Sequence, residues 1–269
     1  MKTTIKNMVW GTMLFSAIIL GNSCNKDDQA EAGIDYVTVL DVANDGITEV
    51  NEADLKTVLV ETPDLEDSEI NLLLKMKDDE KLAMDVYNAL YAKWNGLIFN
   101  RIANAEEKHL NAVVLLLEGY EVEGATDIAA AGEFENADIA SLYTELVEKG
   151  SASVEDAYAV GALIEELDIK DLQDALTEAG NDNITLVFEN LLKGSRNHLR
   201  AFNTQLVNAG ITYVPEYIDQ ATFDEIVNST IEKGKKYMVQ KGNGEGGNGQ
   251  SKGNRWQKQT GDGSGTCKN

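Results

Sequence analysis

The stretch Phe99-Asn100-Arg101-Ile102-Ala103-Asn104-Ala105-Glu106-Glu107-Lys108-His109-Leu110 decides how this chain is read. Phe99, Ile102, Ala103, Glu106, His109, Val113, Leu116 and Leu117 recur at helical spacing, so a carboxylate and an imidazole stand one turn apart inside an apolar stripe. The chain has only two histidines in 269 residues, and the second, His198, falls in a stripe of the same kind. A chain this sparing with histidine that sets both copies on inward faces invites a metal-site reading.

Working outward from that helix, B (about 98–119), periodicity after Pro63 gives three more long helices. Helix A, about 67–94, turns Leu73, Met76, Glu80, Ala83, Met84, Tyr87, Leu90 and Trp94 to one face. Helix C begins at Ser153, with Asp156 three residues on as a capping signal, and its inner face reads Gly161, Ile164, Glu165, Asp168 and Leu172. Helix D, about 183–208, carries Ile184, Val187, Phe188, Leu191, Ser195, His198, Ala201 and Phe202. Between B and C lies a long crossover with a short helix near 138–149. Two helical hairpins joined by one long crossover is the ferritin-like connectivity of a four-helix bundle, so the fold class expected is all-α, with the bundle over 65–210.

Periodicity also selects which acidic residues point inward. Glu80 has Leu73, Met76, Ala83, Met84 and Tyr87 as helical neighbours, and Glu106 has Phe99, Ile102, Ala103, Leu110 and Val113. Glu165 shares its face with Tyr158, Gly161, Ala162, Ile169 and Leu172, whereas Glu166 leans towards Lys170 and Gln173 and reads as solvated, as does Glu107. Charged side chains are rarely buried unless paired or bound to metal. Carboxylates with imidazoles suit iron, manganese or zinc rather than soft ions. Only one full Glu-x-x-His motif is present, because the residue three before His198 is Ser195; Asp168, one turn after Glu165, could make up the deficit from helix C. The competing arrangements are a hydrogen-bonded core histidine at His198 and an ion pair of Glu80 with Arg196 or Arg200. Tyr87, Tyr91 and Trp94 read as packing rather than as a redox relay.

The flanks read differently. Lys2 and Lys6 precede the apolar run Met8–Leu20, then small residues and Cys24, the anatomy of a secretory signal over 1–23. It resembles a bacterial lipoprotein signal, which implies acylation of Cys24 and a lipid-anchored place in the bacterial cell envelope. Residues 24–64 are acidic and weakly patterned, and read as a tether with at most a little local structure. Asp41, Asp45, Gly46 and Glu52 fit positions of a calcium loop, but Ala43 stands where a ligand is required, so calcium binding is not expected. An accessory amphipathic helix is expected within 211–235, and a disordered Gly-rich tail over 236–269 that leaves Cys267 alone. A formal net charge of −23 argues against nucleic acid as a partner and draws cations instead. Self-association is left open.

Four blocks resemble a known family: Asp79-Glu80-Lys81-Leu82-Ala83-Met84-Asp85-Val86-Tyr87, Ile102-Ala103 through Glu106-x-x-His109, Gly161-Ala162-Leu163-Ile164-Glu165-Glu166-Leu167-Asp168-Ile169, and Gly194-Ser195-Arg196-Asn197-His198-Leu199-Arg200-Ala201-Phe202. Together they are similar to the ferritin-like family catalogued as domain of unknown function 2202, over about 66–210. The resemblance implies a rubrerythrin-related helical fold and carries di-metal ligand roles onto Glu80, Glu106, His109, Glu165 and His198, with Asp168 auxiliary. It brings no settled activity, and Ser195 departs from a symmetric site. The expected function is a membrane-tethered protein holding iron or manganese in its bundle core, with oxygen or peroxide redox activity as one outcome. The alternative is a non-catalytic surface bundle for metal sequestration, adhesion or assembly.

Overall fold

Long amphipathic periods with capping residues at their ends account for the helices of the computed structural model, which describes residues 34–240. Helix α2 (Asp67–Trp94) opens on a capping box between Glu66 and Glu69 and stops where Asn95 turns left-handed at φ 52°. Gly96 then leads directly into α3 (Leu97–Gly119), so these two helices form a tight hairpin. The crossover carries α4 (Ala137–Gly150). Helix α5 (Val154–Glu178) starts on Ser153, whose side chain accepts from the Asp156 backbone N–H, as the spacing anticipates. Asn181 caps α6 (Asp182–Asn208) in the same way, and α7 (Gln220–Asn228) follows.

With α1 (Glu52–Val58), seven helices are present among the described residues, beside two small antiparallel strand pairs. The class is therefore mostly helical. Strand β1 (Ile34–Thr38) pairs with β4 (Lys236–Gln240), and β2 (Leu40–Val42) pairs with β3 (Thr48–Val50). Among the described residues no helix is long and apolar enough to cross a membrane. The signal-like segment 1–23, Cys24 and the tail from 241 onward lie outside the described residues.

Helix α2 packs along α3 and α5 along α6; α2 also meets α5, and α3 meets α6. Their inward faces bury Leu73, Met76, Tyr87, Phe99, Ile102, Leu116, Phe188 and Phe202 completely or nearly so. Where α5 packs on α6, the Phe202 ring lies directly against the Gly161 backbone. A Cβ on Gly161 would sit 2.4 Å from the Phe202 ring, which is itself held against Tyr87 at 5.3 Å between centroids. Gly161→Ala is therefore expected to destabilise the fold by about 1–3 kcal/mol through overpacking. Urea denaturation checks this, and an unchanged midpoint would contradict the close packing.

Two expectations are corrected. The stretch read as an acidic tether is structured over 34–64: it forms β1–β3 and α1, and buries Val39, Leu40, Ile47, Val50, Leu55, Val58 and Leu59. Its apolar residues come in runs too short to show a period, yet they cover the side of the long helices. The tail expected from 236 begins instead with β4, which finds its partner about 200 residues earlier in the sequence, in β1. The calcium-loop positions have other partners: Asp45 at the β2–β3 turn pairs with Arg101, Asp41 accepts from Asn51, and Glu52 meets Lys56 within α1.

Candidate metal centre

Four helices each deliver one or two polar side chains to a single buried spot. Helix α2 brings Glu80, α3 brings Glu106 and His109, α5 brings Glu165 and Asp168, and α6 brings His198. All six are buried, none more than 4% exposed. Glu106 stands at the middle. Its Oε2 lies 2.6 Å from His109 Nδ1 and its Oε1 lies 2.9 Å from His198 Nδ1. Each of those nitrogens faces a second carboxylate: Glu80 Oε2 is 3.5 Å from His109 Nδ1, and Glu165 Oε2 is 3.7 Å from His198 Nδ1. The result is two matching half-sites, each a histidine with two carboxylates, that share Glu106. The imidazole rings lie 5.5 Å apart, inclined by 20°.

Room for this arrangement comes from Gly194, one turn before His198 on α6. A Cβ there would fall 2.6 Å from Cε1 of His109, so any larger residue would displace that ring. The other Glu165 oxygen, Oε1, accepts a 2.6 Å hydrogen bond from Tyr87, which leaves Oε2 turned towards His198. Tyr87 thus orients a carboxylate, a role that its place in the helix A stripe did not reveal. The available signal was its position two turns after Glu80 on the same inward face, where a phenol needs an acceptor.

Many of these atoms have no hydrogen-bond partner although they are buried: both oxygens of Glu80, both nitrogens of His109, Oε2 of Glu165 and Oδ2 of Asp168. At His109 Nδ1 the 2.6 Å approach of Glu106 lacks the alignment of a hydrogen bond. Each unsatisfied buried polar atom costs about 1–3 kcal/mol, so a cluster of them in one place calls for a shared partner.

Electrostatics points the same way. Burial pushes the Glu80 carboxyl up to about 8 against the pull of His109, and burial with the Glu106 charge lifts Glu165 to about 7. Burial alone would also raise Glu106, but the two imidazoles beside it outweigh that and hold it well below the usual carboxylate range. Burial works against charge on the histidines too, yet Glu106 lifts His198 to about 9 and His109 well above its ordinary value. Asp168 is raised strongly by burial, then by the charges of Glu80 and Glu165. These shifts favour an ionised Glu106 beside protonated imidazoles, with burial inclining Glu80 and Asp168 to keep their protons and Glu165 near its midpoint at neutral pH.

Of the residues selected from sequence, Glu106, His109 and His198 form the tightest group, with one ligand atom of each within 4.8 Å of the others. Glu80 and Glu165 close the two halves. Asp168 is buried beside them without entering that group. Ser195 donates to the Leu191 carbonyl of its own helix and contributes nothing to the cluster. Arg196 and Arg200 both pair with Glu232, so neither neutralises Glu80. Glu166, read as solvated, is buried; it accepts from Tyr213 Oη and from the backbone N–H groups of Glu216, Tyr217 and Ile218. The unpatterned segment 211–218 covers that face of α5, so helical periodicity alone gave no warning of it.

The chain is similar to an archaeal protein, MJ0754, both in sequence and in fold. Uncharacterized protein MJ0754 of Methanocaldococcus jannaschii is 46% identical over 162 residues, which are 60% of this chain and 88% of the relative. The crystal structure titled as hypothetical protein MJ0754 from Methanococcus jannaschii DSM 2661 superposes with a TM-score of 0.60 at 44% identity, covering 65% of this chain and 99% of that one. Residues 69–230, which include every side chain of the cluster, match the family described as Uncharacterized protein domain (DUF2202), and the chain belongs to that family.

Proposed function

We propose that this protein is a ferritin-like four-helix bundle that holds iron or manganese between α2, α3, α5 and α6. The observation that carries the reading is the shared Glu106 carboxylate. It bridges the Nδ1 atoms of His109 and His198, each of which faces a further carboxylate, among buried atoms that lack hydrogen bonds. Glu80, Glu106 and His109 would hold one ion, and Glu165, Glu106 and His198 a second; oxygen and imidazole donors in this mixture suit iron or manganese. Either metal, when bound, would supply one-electron chemistry towards oxygen or peroxide.

The chain's own contribution is to orient the ligands and exclude water. Tyr87 fixes Glu165, Gly194 makes room for His109, and the ligand side chains are buried. Anaerobic titration with ferrous or manganous ion, followed by elemental analysis, is expected to give about two ions per chain. Protein that takes up neither ion would refute the reading.

Ser195 favours a second outcome, a binder without turnover, because it stands three residues before His198 where a second Glu-x-x-His would place its carboxylate, and its hydroxyl is spent on the Leu191 carbonyl. Oxygen-uptake measurement on the iron-loaded protein separates the two: sustained consumption supports an oxidase or peroxidase, and stoichiometric binding alone supports sequestration. The signal-like leader ahead of Cys24 supports attachment of this bundle to the bacterial cell envelope through an acylated cysteine. Metabolic labelling with a fatty acid, lost in Cys24→Ala, tests that part by itself.

A further inference from the structure

The two half-sites differ at the back of their histidines. Nε2 of His109 has no partner. Nε2 of His198 meets the backbone of Thr48 in two ways: the Thr48 N–H points at it across 3.2 Å, and the Thr48 carbonyl oxygen lies 3.1 Å away, so the ring accepts from the first when Nε2 is bare and donates to the second when Nε2 carries the proton. Thr48 is the first residue of β3, in the segment that precedes the family match at residues 69–230. A histidine that binds metal through Nδ1 must carry its proton on Nε2, and an acceptor at Nε2 fixes both tautomer and ring orientation. The Thr48 carbonyl stands where that acceptor is needed.

The hairpin is tied down at several points around this contact. Thr48 is fully buried; its Oγ1 donates to the Gly46 carbonyl and accepts from Asn197 Nδ2, both at 2.8 Å. Asn197 also binds the backbone of Glu232 through both ends of its amide, at 2.9 Å each. Gly46, at φ +91°, makes the turn and lies close against the Asn197 carbonyl. At the tip, Asp45 pairs with Arg101 of α3. Val39, Leu40, Ile47 and Val50 bury the inner side of the hairpin. So the element that touches His198 is anchored both to α6 and to α3.

We propose that the 40–50 hairpin is a cap on the His198 half of the centre, with Thr48 as a positioning residue: its carbonyl holds the Nε2 proton of His198 and directs Nδ1 to Glu106 and Glu165. The inference rests on the metal-binding reading for what Nδ1 then does. It makes the two halves unequal, because an outer-shell hydrogen bond to a ligating histidine is worth about 10–100-fold in affinity. The His198 half is the tighter one.

The test uses the full chain labelled with ¹⁵N-histidine, first metal-free and then titrated with manganous ion. With two histidines in the sequence, only four ring nitrogens are observed. In metal-free protein the His198 Nε2 proton is expected to exchange with water at least ~10-fold more slowly than that of His109, as the Thr48 contact requires. Manganous ion is expected to bind in two phases, and Glu165→Ala removes the tighter. Thr48→Val with Arg101→Gln loosens the hairpin at two points without touching a ligand. In that variant proton exchange at His198 should quicken at least ~10-fold and the tighter phase weaken ~10–100-fold, while the looser phase stays unchanged. Thr48→Ser, which keeps the hydroxyl, should behave as the parent.

A rapidly exchanging or absent Nε2 proton in the parent protein overturns the proposal. So does a double variant whose tighter phase is unchanged. A slow His198 proton in protein that binds no manganese or iron would instead show the contact intact while refuting the metal reading, and the positioning role with it.

Discussion

Replacing Glu106 with Ala abolishes uptake of both metal ions, whereas Glu80→Ala and Glu165→Ala each leave about one, as a carboxylate common to two half-sites demands. The asymmetry follows from the distances. Glu106 sends one oxygen to each histidine, while Glu80 approaches only His109 and Glu165 only His198. Affinity in Glu106→Ala should fall by more than the 10–100-fold that losing an outer-shell partner costs. The same change leaves two buried imidazoles without the charge that holds their protons. The fold then loses about 3–5 kcal/mol, the penalty for stranding one side of a buried ion pair. Glu106→Gln keeps the side-chain volume and separates loss of ligand from loss of packing. Equilibrium dialysis with manganous ion, beside thermal melts of each variant, reads both effects. Glu106→Gln binding two ions would remove the shared carboxylate from the centre of the proposal.

How much of this was legible beforehand depended on whether a feature repeats with the helix period. The long helices did: helix A was expected at about 67–94 and α2 runs Asp67–Trp94; helix C was expected to start at Ser153, which caps α5. The same period selected Glu80, Glu106, His109, Glu165 and His198, because a charged or polar residue within an apolar stripe stands out. Contacts made across the long helices by segments without a period did not. Glu166 follows Glu165 directly and is equally buried, but its partners are Tyr213 Oη and the backbone N–H groups of 216–218, in a segment without a helical period. The hairpin that reaches His198 does so through the backbone of Thr48, so its sequence carries no mark of the contact. Its acidic residues mask the pattern, and its strands of three residues each are too short to show a period. Gly194 was visible as part of a family-like block; that it makes room for an imidazole on the facing helix is a matter of three-dimensional approach.

Metal-free protein should lose stability as pH rises from about 5 to 9, and added metal should restore more of it the higher the pH. The sign comes from counting protons. Glu80 and Glu165 titrate at about 8 and about 7 in the fold, above the ordinary 4.5 of an unfolded chain, and His198 at about 9 against 6.5. His109 and Asp168 are raised as well. Across this window the folded state therefore binds more protons than the unfolded state, so unfolding free energy falls with rising pH. For the carboxyls the loss begins above about 4.5; for His198 the contribution is complete below 6.5 and gone once pH passes about 9. Glu106 acts oppositely, since its depressed value adds stability that is lost only in acid, below this window. Together the raised groups amount to several kcal/mol, on the order of a 10 °C fall in the melting midpoint. General repulsion in a chain of net charge −23 also grows with pH, so the control is E80Q/E165Q. That variant keeps the surface charge but removes two of the protons in question, and its decline above pH 6 should be shallower. Metal reverses the trend because its ligands must shed those same protons, so ions compete poorly at pH 5 and well at pH 8. A metal-free midpoint that stays level or climbs between pH 5 and 9 would mean that the buried carboxyls do not hold their protons. The two imidazoles would then have to balance more than the single Glu106 charge, and metal uptake would no longer require those carboxyls to shed protons.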